Sequence, residues 1–525
     1  VPVREKLSDE LRGLIHGQVL DDAKSLQQYS LDQSIYEIMP RIVVFPENIE
    51  DVRRIVEFAS HEELPVTARG GGSGTAGSAL GQGIVMALPD SEYWGRISGF
   101  SEARGMASVN AGAGVYHNEL QIYLKERGFF LPADVTSAAI SRIGGNIATK
   151  ASGPHALKYG SIDRFLESIE FITAEGELVD TADETKIPAR IETKFTSLEQ
   201  KIRSDHAART LLESRRDLKT SSGYNLFAFL DDSSIGQKIT QLMAGSVGTL
   251  GIITSARLRA EVYPSGRAAV LLYFGGLVEA GRAASLLRET DAAAIELISR
   301  ETIRIIRVRT ALPDQLAVDA HMLIVELTGP EPQRQIRSLL SRIQHDGYRM
   351  SEPPAVAISD DEMEKIWTLR KQILWLIQHP DPGLRALAVV NDVGVPPERL
   401  AAFISDVQKV FTRHGITALV YGHAGNGNLH LRPLFDVTLP DLPGRVRRLA
   451  DEVYETVIRH DGTITAEHGM GRLRAPYLKR EWGETLYNYM REVKNIFDPD
   501  DILNPGVMFS DAPITDNMRA DLLEP

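Results

Sequence analysis

The chain has 525 residues, enough for several domains of roughly 100 to 200 residues each and a sizeable core. A composition of 43% hydrophobic and 25% charged residues excludes disordered and fibrous classes, and a net charge of −13 repels a phosphate backbone, so nucleic acid is not an expected partner. With no cysteine there are no disulfides, thiolate zinc sites, cysteine nucleophiles or cysteine-ligated iron–sulfur clusters.

Ile49, Val52, Ile55, Val56 and Ala59 fall at helical spacing behind Asn48, a capping residue, so a helix is expected over 48–60. Strands are expected at 65–68 and 84–88, and an amphipathic helix from Val115 to Arg127 closed by Gly128. The segments SIEFITA and ELVDT flank Glu175-Gly176 as a hairpin. The pattern breaks at VYPSG (262–266), which suggests a domain boundary; beyond it Ala268 to Phe274, Met322 to Leu327 and Leu387 to Val393 read as strands. Val278 to Arg288, Gln333 to His345 and Asp361 to Ile377 read as helices. The stretch after Phe509 is polar enough to fray. The longest apolar run, Ala268 to Val278, is too short to span a bilayer, and the start lacks a signal-peptide core, so a cytoplasmic protein with no transmembrane segment is expected.

Three glycine-rich loops carry the first chemical signal. In RGGGSGTAG (Arg69 to Gly77), successive backbone N–H groups unobstructed by side chains would ring an anion such as a diphosphate. The loop lacks the Gly-Lys-Ser/Thr ending of a nucleotide P-loop and is not a dinucleotide G-x-G-x-x-G at a helix start, and alone it is more often a flexible turn. Two more loops, IGGNIATKASG (Ile143 to Gly153) and GSVGTLGIIT (Gly245 to Thr254), would each admit a flat ligand close to the backbone.

The order PRIVVFPENIEDV, RGGGSGTAG, IGGNIATKASGPHALKYG, GSVGTLGIIT and finally FDPDDILNPG (Phe497 to Gly506) resembles the vanillyl-alcohol-oxidase-type FAD family from about Tyr29 to Phe509. The resemblance implies an α+β fold with a two-part FAD-binding domain over 41–262, after an N-terminal helical segment at 1–40. It implies a substrate domain on a helix-covered antiparallel sheet over 263–490, and a C-terminal segment, 491–525, returning to the FAD domain. It assigns Arg69, Gly70, Gly71, Gly72, Ser73, Gly74 and Thr75 to the FAD diphosphate. Pro132, Asp134, Gly144, Gly145, Thr149, Ser152, Gly153, Ile253 and Asn504 would line the cofactor. His155 is the nearby candidate for a covalent flavin bond, but it is read as a solvated loop histidine, so non-covalent FAD is expected.

The second half holds YGHAGNGNLHLRP (Tyr421 to Pro433) and AEHGMGR (Ala466 to Arg472). On an unbroken strand His423 and His430 would lie over ~20 Å apart on opposite faces; the bend at Gly425, Asn426 and Gly427 would bring both to one ion, with Glu467 as third ligand. The His-x6-His spacing by itself is more often two unrelated histidines. HAGNGNLH and EHGMG, however, are similar to paired signatures of the D-lactate and D-2-hydroxyglutarate dehydrogenases. That similarity implies His423, His430 and Glu467 as ligands of zinc, manganese or iron(II), His468 as catalytic base, and Asn428 as a flavin contact. Arg370, in IWTLRKQI, would pair with the substrate carboxylate; without the family it is equally a solvated helix charge beside Lys371. Val390 stands where 2-hydroxyglutarate enzymes have a lysine, which turns the expectation toward D-lactate, with D-2-hydroxyglutarate or glycolate as alternatives.

The expected reaction is FAD- and metal-dependent oxidation of a small D-2-hydroxy acid to the 2-oxo acid. A catalytically silent flavin subunit, or a metal hydrolase without flavin, are the readings from other classes. The N-terminal YSLDQSIYEIMPRIVVFP resembles members whose flavin part is followed by an iron–sulfur domain; with no cysteine here, a separate electron-accepting protein is expected, either an iron–sulfur subunit or an electron-transfer flavoprotein.

Overall fold

The structure, a computed structural model, describes residues 2–377 and 383–523. Its first sheet has the strand order Gln18–Leu20, Ile42–Phe45, Ile84–Ala87, Val66–Arg69, with the last three parallel. The N-terminal segment is therefore not helical throughout, because Gln18–Leu20 adds an antiparallel edge between two helices. Helix Ile49–His61 connects two parallel strands; Asn48 accepts from the Asp51 N–H at its start, and Val52, Ile55, Val56 and Ala59 face the core. The strand Val66–Arg69 empties directly into the first glycine loop.

The second sheet is antiparallel and centred on the long strand Ile252–Val262, flanked by Met106–Gly112 and Leu166–Ile172. The expected hairpin is present: Leu166–Ile172 pairs with Leu178–Asp180 across a turn at Gly176, whose φ of 78° suits glycine. The second glycine-rich segment is not a loop throughout: its first six residues form the helix Ile143–Ala148, which lies against this sheet.

The third sheet is antiparallel and includes, in spatial order, Glu352–Ala357, Arg267–Phe274, His321–Thr328, Ala292–Ile298, Ala418–Gly422 and Asn428–Asp436. Along Arg267–Phe274 the residues Ala268, Val270, Leu272 and Phe274 join the core under helices Leu277–Leu287 and Pro332–His345. Ala269, Leu271 and Tyr273 join a second core under helices Arg300–Arg309 and Asp360–Ile377. A strand covered on both faces needs apolar residues at every position, which explains the unbroken run in the sequence.

Leu387 to Val393 is not a strand, contrary to its apolar reading. The chain pairs at Leu384–Ala386, leaves the ladder, and rejoins it only at Val393–Gly394. Between them the buried Asn391 and Asp392 use their polar groups on the loops around the site described below. The C-terminus does not fray either: Ile514 and Met518 are buried, and the Tyr36 hydroxyl donates to the Ile514 carbonyl. Upstream, Leu503 bridges to Val66, and Asn504 receives a hydrogen bond from Thr67 while its amide donates to the Ser78 and Val247 carbonyls.

Candidate active site

One deep cleft runs between the glycine loops and the third sheet. It is lined by Arg69, Gly70, Gly71, Gly72, Ser73, Gly74, Thr75, Gly144, Gly145, Thr149, Ser152, Gly153 and Ile253 from the first half, and by Arg370, His430, Glu467 and His468 from the second. The loops are glycine-rich because of close approach: a Cβ on Gly71 would stand 1.9 Å from the Ile140 carbonyl oxygen. Gly70 and Gly145 likewise face each other, so bare backbone forms this wall, a surface that fits a flat, diphosphate-bearing ligand.

Other residues singled out from the sequence lie outside the cleft wall. Asn428 is buried, donating to Asp392 and the Val393 carbonyl and accepting from Lys219. Asn504 is engaged by the loops named above. Pro132 and Asp134 do not line the cleft, and Asp134 accepts from His155 at 2.7 Å. His155 is not a solvated loop residue: at 14% side-chain exposure it lies between Asp134 and Glu326 and packs on Trp367. Burial opposes its charge, but the two carboxylates prevail and raise its pKa from 6.5 to about 10.

His423 and His430 reach one place because the strand breaks between them. Residues Ala424–Asn426 form a single 3-10 turn, and Gly427, at φ 70°, turns the chain into Asn428–Asp436. His423 Nδ1 faces Glu296 Oε1 at 2.6 Å, and His430 Nδ1 donates to the Asn391 carbonyl at 2.9 Å. The opposite nitrogens converge on one oxygen: Glu467 Oε1 is 2.8 Å from His423 Nε2 and 3.4 Å from His430 Nε2. Its other oxygen accepts from Ser152 at 2.7 Å and from Lys219 at 2.6 Å. Burial pushes the Glu467 carboxyl up, yet His423 and Lys219 hold it well below the carboxylate range. Two imidazoles oriented through Nδ1 and one ionised carboxylate are a donor set that fits a divalent cation.

Asp392, His430, Glu467 and His468 also offer one ligand atom each within 4.8 Å of one another. Asp392 is already saturated, because Oδ2 accepts the N–H groups of Ala466, Glu467 and His468 and the Thr465 hydroxyl while Oδ1 accepts from Asn428. Its role in the fold is to hold the 465–468 loop. His468 stacks on His430 with centroids 5.0 Å apart; burial, reinforced by His430 against the pull of Asp392, lowers its pKa to about 4, so its ring is neutral at pH 7. Arg370 lines the cleft, but Glu296 holds it at 2.7 and 2.6 Å.

Sequence reading missed Glu296, Lys219 and Asp392, each far along the chain from the motif it supports, and it missed Arg432, a buried cleft residue two positions past His430. The hydrophilic pair Asn391-Asp392 inside an apolar stretch was the available signal for Asp392.

Among known proteins, a model described as FAD binding domain matches residues 40–182, and one described as FAD linked oxidases, C-terminal domain, matches 263–508. The chain is 30% identical over 509 residues to a D-2-hydroxyglutarate dehydrogenase of Pantoea ananatis, taking in 91% of this chain and 48% of that protein. It thus spans about half the length of that relative. It is 28% identical to a D-2-hydroxyglutarate dehydrogenase of Stutzerimonas stutzeri, over 96% of this chain and 99% of the relative. The fold matches p-cresol methylhydroxylase with a TM-score of 0.68 at 15% identity, covering 97% of both chains. With the two family models matched in order over 40–182 and 263–508, the chain belongs to the FAD-linked oxidases.

Proposed function

We propose that the protein oxidises a D-2-hydroxy acid to the corresponding 2-oxo acid, using non-covalent FAD in the glycine-walled cleft and a divalent metal held by His423, His430 and Glu467. The observation that carries this reading is the convergence of two Nδ1-anchored imidazoles on one oxygen of Glu467 at the cleft wall. When bound, FAD supplies the hydride acceptor and the cation a Lewis acid for the substrate hydroxyl. His468, on the cleft wall and kept neutral by burial, receives the hydroxyl proton on its imidazole. Ser152 and Lys219 fix Glu467 so that its free oxygen keeps its aim, and Glu296 does the same for His423. The engagement of His155 with two carboxylates supports a flavin that is not covalently attached there.

The absence of a lysine at 390 favoured D-lactate. Val390, however, is fully buried in the core rather than at the cleft, so it does not set the length of the substrate. No cysteine among these 525 residues can ligate an iron–sulfur cluster, so the carrier that takes electrons from the flavin would lie outside them. No helix among the described residues is long and apolar enough to cross a membrane.

The test is His468→Asn in FAD-loaded protein. Flavin reduction by substrate, followed by rapid-mixing absorbance, should slow by at least ~10²-fold with flavin content unchanged; reduction at the parent rate would place the base elsewhere. Replacing His430 by Ala should lower bound metal and turnover together, as read by metal analysis.

A further inference from the structure

Arg432 is 5% exposed, lines the cleft, and lies on the strand Asn428–Asp436 two residues beyond His430. Residues i and i+2 of a strand share a face, so it stands beside the His430 imidazole, about 6.6 Å further along the strand. The other buried cations around the site are engaged: Arg370 by Glu296, Lys219 by Glu467, and Arg474 by the Gly469 carbonyl and Asn391. The Arg432 side chain makes no hydrogen bond or ion pair among the described residues, and its Nε is buried without a partner. Lys371 also lines the cleft, but it is exposed, where water solvates the charge.

A guanidinium cannot shed its proton, and a buried one without an anion is costly. Here none of the described residues supplies the missing anion, and the side chain borders the space a substrate would enter. We propose that Arg432 is a specificity-determining residue that binds a second acidic group of the substrate, remote from the carbon being oxidised, so that the preferred hydroxy acids are diacids. This rests on the oxidation reading above. A monoacid with its only carboxylate at the reacting carbon, beside Glu467 and His468, leaves Arg432 unpaired. A chain a few carbons longer spans the step from His430 to Arg432 and places its second carboxylate against the fork.

The test compares FAD-loaded parent, Arg432→Leu and Arg432→Lys on two readouts. The first is kcat/KM with an artificial dye for D-2-hydroxyglutarate and for D-lactate. The parent should favour the diacid, and Arg432→Leu should lower the diacid-to-monoacid ratio by about 30-fold, the scale of one charged hydrogen-bonded contact, acting mainly through KM. Arg432→Lys keeps the charge and should restore part of the ratio. An unchanged ratio, or an equal fall for both acids, would overturn the proposal, the latter by assigning Arg432 to the carboxylate that both share. The second readout is the Kd of 2-oxoglutarate against pyruvate from perturbation of the flavin spectrum, which needs no turnover. If the parent oxidises neither acid, the oxidation reading fails, and weaker 2-oxoglutarate binding in Arg432→Leu still upholds the role of Arg432, whereas equal binding sinks it.

Discussion

Glu296 and Glu326 stand on neighbouring strands of the third sheet, on the same face, and each is held by the helix Asp360–Ile377: Arg370 pairs with Glu296, and the Trp367 indole donates to Glu326. Each also meets one histidine, His423 and His155 respectively, and each carboxyl is kept near 2 against burial by its cationic partners. The two differ in what the second histidine nitrogen meets. For His155 it is Asp134, with Arg267 closing the far side of Glu326, so every polar group is satisfied inside the protein and the first half of the chain is locked to the third sheet. For His423 it is Glu467 Oε1, an oxygen shared with His430 at the cleft wall. A nearly identical scaffold thus gives a closed clamp in one place and, in the other, a histidine whose partner oxygen is shared with His430 at the cleft wall.

The largest expected effect comes from opening the clamp. Glu326→Gln leaves His155 and Arg267 without their shared anion and should cost about 3 kcal/mol of stability in denaturant unfolding, with kcat little changed in the folded protein. The matching change in the site, Glu296→Gln, should lower metal affinity or turnover by about 10- to 100-fold, because it loosens the acceptor that orients His423. If Glu326→Gln instead lost turnover as severely as Glu296→Gln, the division between clamp and site would be wrong. The smallest effect is in pH dependence. With its pKa raised from 6.5 to about 10, His155 contributes stability that is fully present below about 6.5 and is lost as pH rises toward 10. The Tm difference between parent and His155→Gln should therefore shrink over that range; a difference constant from pH 6 to 10 would mean His155 is not the charged partner.

Much of the cofactor wall was legible because it is local: each glycine loop is a continuous run whose backbone does the work, so composition alone exposed it. The hairpin at Gly176 and the helix capped by Asn48 were legible for the same reason. His423, His430 and Glu467 were recognised through motif resemblance, and the bend at Gly427 that joins them was foreseeable from the glycines. Glu296 was invisible because an acidic residue in a strand acquires meaning only when the adjacent helix brings Arg370 over it. Asn428 and Asn504 show the reverse difficulty: motif position marked them as ligand contacts, whereas their side chains brace neighbouring loops. Leu387 to Val393 was misread because hydrophobicity reports burial and not ladder pairing.

The Asn504 clasp has a consequence for how the molecule comes into being. Its contact with Thr67 spans 437 residues, and the contacts of Glu467 with Ser152 and Lys219 span 315 and 248. During synthesis from the N-terminus, the glycine loops leave the ribosome hundreds of residues before the groups that brace and complete their cleft. At ~5 to 20 residues per second, that interval lasts tens of seconds. Closing such long loops is also slow in its own right. FAD would therefore meet a finished pocket only after the segment through Asn504 has been translated.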